Sequence, residues 1–474
     1  MSADDAPSPS ERTAEPTLPG ASLGAGVGAA PVGGVKGGPP PRSSRWPVVL
    51  LVLLVVLVGL PGLVLTAASF RATDLERLNA EYAPFHQVPE VAKAPREACG
   101  LNQVKVTACE AARATSRVTQ EVRFPSSIAD KGLAELSGTL TLPQGVEGLR
   151  PAVVLIHGSG PFTRQLEIGG DLVRKLPQPF ALFDELTSWL SDQGFVVLAY
   201  DKRSCIRCYG SSSFDPQRFS FDDFETDARD ALRYLAKRPE VNRRALVVLG
   251  VSKGGGTAVF VAKDEPGVVA AVSLSGLLEG FGKALTEQLT RIAEVRKGQL
   301  DYFASMNVYV QQKQYGKCLA QLEGDAYQPD AQCLGGGVTQ RALKEFDAKS
   351  QRTVDALLAL PVPAFLSQGT LDRNVSPELF MGLRERAAGR DVELHFIRGM
   401  DHSQTDAFAA QNQLHPELLT RLAAFFARVP TPPAPLGLLQ SPHEPAPAEP
   451  APAVSAPAAS APDAPAPAPD APAP

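Results

Sequence analysis

Basic charge, histidine and metal-binding patterns are all scarce in this chain of 474 residues. Its 46 Lys and Arg are outnumbered by 51 Asp and Glu, for a net charge of −5. No basic patch stands ready for a phosphate backbone, which excludes nucleic acid as a partner. A zinc site needs two close cysteine pairs or histidines beside one, and Cys205-Ile206-Arg207-Cys208 has neither. There is no G-x-G-x-x-G or G-K-[ST] run to cradle a nucleotide phosphate. Neither a metal nor an organic cofactor is therefore expected. Residues 1–45 lack aromatics and any apolar period, so they cannot bury enough surface to offset chain entropy and are expected to be a disordered cytoplasmic leader.

The apolar run that follows has no charge from Trp46 to Ala68 and is long enough to cross a bilayer, so residues 46–69 are expected to be a single signal-anchor helix. Lys36, Arg42 and Arg45 lie before it, which puts the N-terminus in the cytoplasm of a bacterial-type cell and the remainder outside. Cleavage after a signal peptide, with Ala67-Ala68 as the small residues, is the alternative and would secrete the protein. Residues 70–114 read as a membrane-proximal stalk, with some helix around Leu75, Leu78 and Tyr82. The Pro-Ala repeats of 429–474 form a tail without a core. Outside the cytoplasm cysteines oxidise, and the six here fall into local pairs: Cys99 with Cys109, Cys205 with Cys208, Cys318 with Cys333. Structural disulfides are expected, although six cysteines allow about 15 connectivities. A redox role for C-x-x-C would want a βαβ context that is missing around Cys205.

Residues 115–428 carry the globular pattern. Val118, Gln120, Val122 and Phe124 share one strand face, and Leu136, Gly138, Leu140 and Leu142 another, with Asp130-Lys131-Gly132 as the turn of an antiparallel hairpin. After Pro151, buried strands alternate with amphipathic helices. The strands are Ala152 to Ile156, Phe195 to Tyr200, Ala245 to Val251, Val268 to Leu274, Ala364 to Ser367 and Val392 to Ile397. The helical stripes are Leu182, Phe183, Leu186, Trp189 and Leu190, then Phe224, Ala228, Ala231, Leu232 and Leu235. This is the rhythm of a mostly parallel sheet covered by helices on both faces. Residues 277–361 interrupt it with a helical insertion bearing Leu285, Leu289, Ile292 and Val295, expected to lie over a cavity as a lid.

One strand ends in Gly250-Val251-Ser252-Lys253-Gly254, where glycines flank a serine in a tight strand-to-helix turn, with the helix expected from Thr257. A serine hydroxyl is a weak nucleophile unless a histidine takes its proton and a carboxylate holds that histidine. Asp372 ends a buried strand in a loop, and His402 follows the last strand through Gly399, so both can reach the same sheet edge. Asp401 competes with Asp372 for the acid role. His157-Gly158-Ser159-Gly160-Pro161 follows the first buried strand, and the Ser159 and Lys253 amides would stabilise charge on a substrate oxygen. A plain βα turn or a phosphate cradle remains the alternative for that loop.

These segments, with Tyr200-Asp201-Lys202-Arg203, Gly369-Thr370-Leu371-Asp372 and Asp401-His402, resemble in order and spacing the motifs of the α/β-hydrolase superfamily, and are most similar to its bacterial serine esterase, serine aminopeptidase-like and dienelactone-hydrolase-like branches. The resemblance covers residues 115–428. It implies an α/β-hydrolase fold with Ser252 as nucleophile, Asp372 as acid and His402 as base. It implies hydrolysis of an acyl-bearing small molecule, foremost a carboxylic ester, with peptidase or acyltransferase chemistry on the same triad as alternatives. A silent envelope-binding protein would keep the fold without the reaction. Two departures stand out. Ser204-Cys205-Ile206-Arg207-Cys208-Tyr209-Gly210 replaces the Gly-x-Gly that usually follows Asp-Lys-Arg and affects the expected pocket wall, and Lys253 stands where an uncharged residue or histidine is common, with a side chain expected to favour anionic substrates.

Overall fold

A computed structural model describes residues 98–434, apart from residues 106, 169–179, 211–213, 297–301, 335–337, 408 and 410. The leader, the apolar run of 46–69, residues 70–97 of the expected stalk and the tail beyond 434 lie outside the described residues. Among the described residues no helix is long and apolar enough to cross a membrane.

The body is built on eight strands: β1 (Ser116–Pro125), β2 (Glu135–Gln144), β3 (Arg150–Ile156), β4 (Val196–Tyr200), β5 (Val241–Val251), β6 (Val268–Leu274), β7 (Ala364–Gly369) and β8 (Val392–Ile397). Their order across the sheet is β8-β7-β6-β5-β3-β4-β2-β1. β3 to β8 pair in parallel, while β1 and β2 form the expected hairpin, with Val118 opposite Leu142 and Phe124 opposite Leu136, and β2 joins β4 antiparallel. On β1 only Phe124 is fully buried and Val118 is exposed, because an edge strand has packing on one flank alone.

The central strands are apolar on both faces because both are covered. Val153, Leu155, Val247 and Leu249 pack with α1 (Leu182–Asp192) and α9 (Pro416–Arg428). Val154, Ile156, Leu246 and Val248 pack on the other face with α2 (Asp223–Leu235), α3 (Lys253–Asp264) and α8 (Pro377–Arg386). Each such buried side chain contributes about 1.5–3 kcal/mol of transfer free energy, so the two layers hold the sheet as a rigid platform. The insertion between β6 and β7 supplies α4 (Phe281–Arg296), α5 (Tyr302–Leu322), α6 (Gln340–Ser350) and α7 (Thr353–Leu358).

All three local cysteine pairs are bonded: Cys99–Cys109, Cys205–Cys208 and Cys318–Cys333. The first corrects the expected stalk, whose last part belongs to the folded body. Cys99–Cys109 closes a small ribbon of Gln103–Lys105 with Cys109–Ala111, and the Leu101 amide donates to the Phe426 carbonyl at 2.8 Å at the end of α9. Leu101 is buried in the α9 layer.

Candidate active site

The turn from β5 into α3 is dictated by glycine. A Cβ on Gly250 would collide with the Gly254 carbonyl, and one on Gly254 with the carbonyls of Ile156 and His157. Ser252 between them has φ 57° and ψ −126°, a conformation that side-chain-bearing residues avoid. Such strain costs about 1–3 kcal/mol and persists only where the surroundings over-determine it. Here they do: the Ser252 amide donates to Leu274 O at 2.9 Å, and its carbonyl accepts from Leu277 N at 3.0 Å and Gly255 N at 2.9 Å. α3 starts at Lys253, earlier than the expected Thr257, because the glycines lie inside its first turn and let it approach the strands. The Lys253 amide therefore opens the helix beside the Ser252 hydroxyl, at the positive end of the helix dipole.

Asp372 and His402 meet although 30 residues apart in sequence: Nδ1 of His402 lies 2.9 and 3.0 Å from the two Asp372 carboxylate oxygens. The Asp372 carboxylate also accepts from the Asn374 and Val375 amides at 2.8 and 3.0 Å. Burial pushes its pKa up, but the neighbouring His402, its hydrogen bond and the two amides outweigh this and hold the carboxyl below its ordinary range. Asp401 has a different use, its two oxygens accepting from the Thr405 amide at 2.9 Å and hydroxyl at 2.7 Å, which tightens the His402 loop. Gln404, at φ 63°, donates to the Ser275 hydroxyl at 2.9 Å and to the His402 carbonyl at 2.8 Å, tying that loop to the strand beside β5. Of the other histidines, His395 is buried in β8 with Nε2 3.0 Å from Glu393, and His415 caps α9 by accepting from Glu417 N at 3.2 Å.

On the facing side, Gly158 lies so close that a Cβ there would stand 3.0 Å from the Ser252 Cβ. His157, just before it, donates through Nε2 to the Thr163 carbonyl at 3.1 Å. Burial, with the Lys202 charge nearby, pulls its pKa down to about 3, so its ring is neutral and structural. The Lys202 ammonium donates to the carbonyls of Gly158 and Gly160 at 2.6 and 2.8 Å.

Ser159, Ser252, Lys253 and His402 all line one cavity of about 210 Å³. Its remaining wall is mostly apolar: Phe162, Leu166 and Val375 from the body, and Leu277, Phe281, Ala284 and Leu285 from the insertion. Phe281, Ala284 and Leu285 stand on α4, so the insertion supplies part of the cavity wall. Gln288 of α4 donates to Asn374 at 3.1 Å, an amide pair joining insertion and body at the cavity. The Lys253 ammonium lies 4.4, 5.1 and 5.2 Å from the ring centroids of Phe224, Phe346 and Phe221, so its charge is engaged with aromatic faces. Residues 204–210, the other departure, contribute nothing to the described cavity wall. They form a short helical turn whose Tyr209 hydroxyl donates to the Asp201 carbonyl at 2.9 Å and accepts from Ser137 N at 2.9 Å.

Sequence reasoning missed Gln404, Gln288, Asn374 and the phenylalanines around Lys253. Lys202 carried a signal, as one of three charged residues, Asp201, Lys202 and Arg203, that follow a fully buried strand.

The profile of the family described as serine aminopeptidase, S33, matches residues 179–405. Esterase EstD of Thermotoga maritima is 26% identical over 284 residues, 59% of this chain and 60% of its own length. A polyketide transferase of Aspergillus fumigatus is 30% identical over 95 residues, 20% of this chain and 31% of its own. The chain thus spans less than two thirds of these relatives. Among solved structures, a Pyrococcus furiosus esterase is similar at 16% identity, covering 66% of this chain and 92% of its own, with a TM-score of 0.42. Over residues 179–405 the chain is similar to the serine aminopeptidase S33 family, and the matched stretch includes the serine elbow that its glycines dictate.

Proposed function

We propose that this protein is a serine hydrolase that cleaves carboxylic esters through an acyl-enzyme on Ser252. The observation that carries the reading is the Asp372–His402 pair opening onto the same cavity as the strained Ser252. With Nδ1–H donated to Asp372, the Nε2 of His402 takes the Ser252 proton as Oγ attacks the ester carbonyl. Negative charge forms on the carbonyl oxygen, and the amides of Ser159 and Lys253 stabilise it. Collapse expels the alcohol, which receives the proton from His402. Water, deprotonated by His402, then attacks the acyl-enzyme and releases the acid.

The cavity supports an uncharged substrate of modest size. About 210 Å³ is below the usual range for drug-sized ligands. The family profile bears the name of an aminopeptidase, but no Asp or Glu lines the described cavity to meet a free α-amino group, and this favours the ester reading. Hydrolysis of short-chain aryl esters compared with aminoacyl anilides separates the two. Ser252→Ala must abolish turnover and fluorophosphonate labelling; an active variant defeats the proposal.

The apolar run of 46–69 supports attachment to a membrane by one helix with the catalytic domain outside the cytoplasm, and three bonded cysteine pairs suit an oxidising compartment. Release of the full chain from membranes by alkaline carbonate would rule this out.

A further inference from the structure

Asp201, Lys202 and Arg203 follow β4, and all three side chains are buried. Two of them join ion pairs: Asp201 with Arg164 at 2.7 Å, Arg203 with Asp227 at 2.5 Å. Lys202 forms no ion pair among the described residues. Its ammonium, on a residue only 4% exposed, has the carbonyls of Gly158 and Gly160 at 2.6 and 2.8 Å and the Phe224 ring centroid at 4.3 Å. The same ring receives the Lys253 ammonium at 4.4 Å.

The Gly158 carbonyl and the Ser159 N–H belong to one peptide unit. That unit is planar and trans, as no cis bond occurs in the described chain, so its oxygen and hydrogen point in opposite directions. A group that holds the oxygen therefore aims the hydrogen. The loop needs such a hold, because glycines on both sides of Ser159 offer little resistance to a peptide flip, and a flip would turn a carbonyl oxygen towards the developing oxyanion. We infer that Lys202 is a positioning residue for the oxyanion hole. It fixes the Ser159 amide through the Gly158 carbonyl, and Phe224 links it to Lys253, whose own amide is the second donor. The inference rests on the Ser252 acyl-enzyme reading.

The test uses the full chain with Lys202→Met, which keeps the aliphatic stem and removes the donors. The readouts are kcat and KM on a short-chain aryl ester and the rate of fluorophosphonate labelling of Ser252. Loss of one oxyanion donor typically costs about 10²–10³ in kcat. Imperfect aiming in Lys202→Met is expected to lower kcat and labelling by about 30-fold or more, with KM changed less than about twofold. A folded Lys202→Met with kcat within about twofold of the parent, or with the whole effect in KM, overturns the inference. Should that variant fail to fold, Phe224→Leu decides. A fall in kcat of about fivefold at unchanged KM is expected there, and an unchanged kcat overturns it. Ser252→Ala is run beside both: an active Ser252→Ala defeats the esterase reading itself, whereas an inactive one beside an unaffected Lys202→Met defeats only the role of Lys202.

Discussion

Beneath the cavity, Ser252 and the Asp372 loop are anchored by main-chain hydrogen bonds to neighbouring segments, from Ser252 N to Leu274 O at 2.9 Å and from Leu371 N to Met400 O at 3.0 Å. Above it, the helical insertion reaches the body largely through side chains. Gln288 donates to Asn374 at 3.1 Å, Lys349 pairs with Glu225 at 2.7 Å and Asp222 at 2.8 Å, and Phe346 stacks on Phe221 at 4.2 Å. The difference separates two tasks. Main-chain ladders hold reacting groups to the tolerance that chemistry needs, and side-chain links hold a wall whose composition decides what fits. Substitutions below should then alter turnover, and substitutions above should alter selectivity.

The largest expected effect is on the body. Ser252→Ala should lower kcat by about 10³-fold or more without loss of fold, measured by ester hydrolysis and circular dichroism. Next comes Asp372→Asn, expected to cost on the order of 10²–10⁴-fold in kcat, since an amide cannot hold the His402 tautomer as a carboxylate does. A loss confined to KM in that variant would contradict the pairing.

The insertion should respond differently. Phe281→Ala enlarges the cavity wall, so kcat/KM for longer acyl chains should rise about tenfold relative to acetate, with acetate turnover within about threefold of the parent. A uniform loss on all chain lengths would erase the distinction between platform and cover. The mildest effect concerns pH. His157 has a folded pKa of about 3, below its ordinary 6.5, so under pH 6.5 the unfolded chain binds a proton that the folded one refuses. Stability from this group is complete above pH 6.5 and is lost as pH falls towards 3, at up to about 1.4 kcal/mol per pH. His157→Asn should flatten that part of the urea-midpoint profile between pH 6 and about 4, and an unchanged slope would remove the assignment.

The contrast between body and insertion also marks what could be read from the chain before any coordinates. Strand periods placed β6 and β8 to the residue and β3, β4 and β7 to within two, because a strand covered on both faces must be apolar throughout, whereas β5 starts at Val241, before the expected Ala245. Gly250, Ser252 and Gly254 announced their turn because steric exclusion acts between residues a few positions apart. β1 was less transparent. Val118 fits a strand period, but only the sheet order makes it an exposed edge residue.

Local rules thus determined most of the elements and the serine turn, since their causes are short-range, and they suggested the local cysteine pairs without fixing their connectivity. Tertiary structure alone decided that Lys202 grips the Gly158 peptide, that the Lys253 charge rests against phenylalanine rings, and that Leu101 folds back onto α9. Each of these joins side chains or peptides brought together only when the sheet closes and desolvates them, and no spacing along the polymer encodes which of several eligible partners will be within reach.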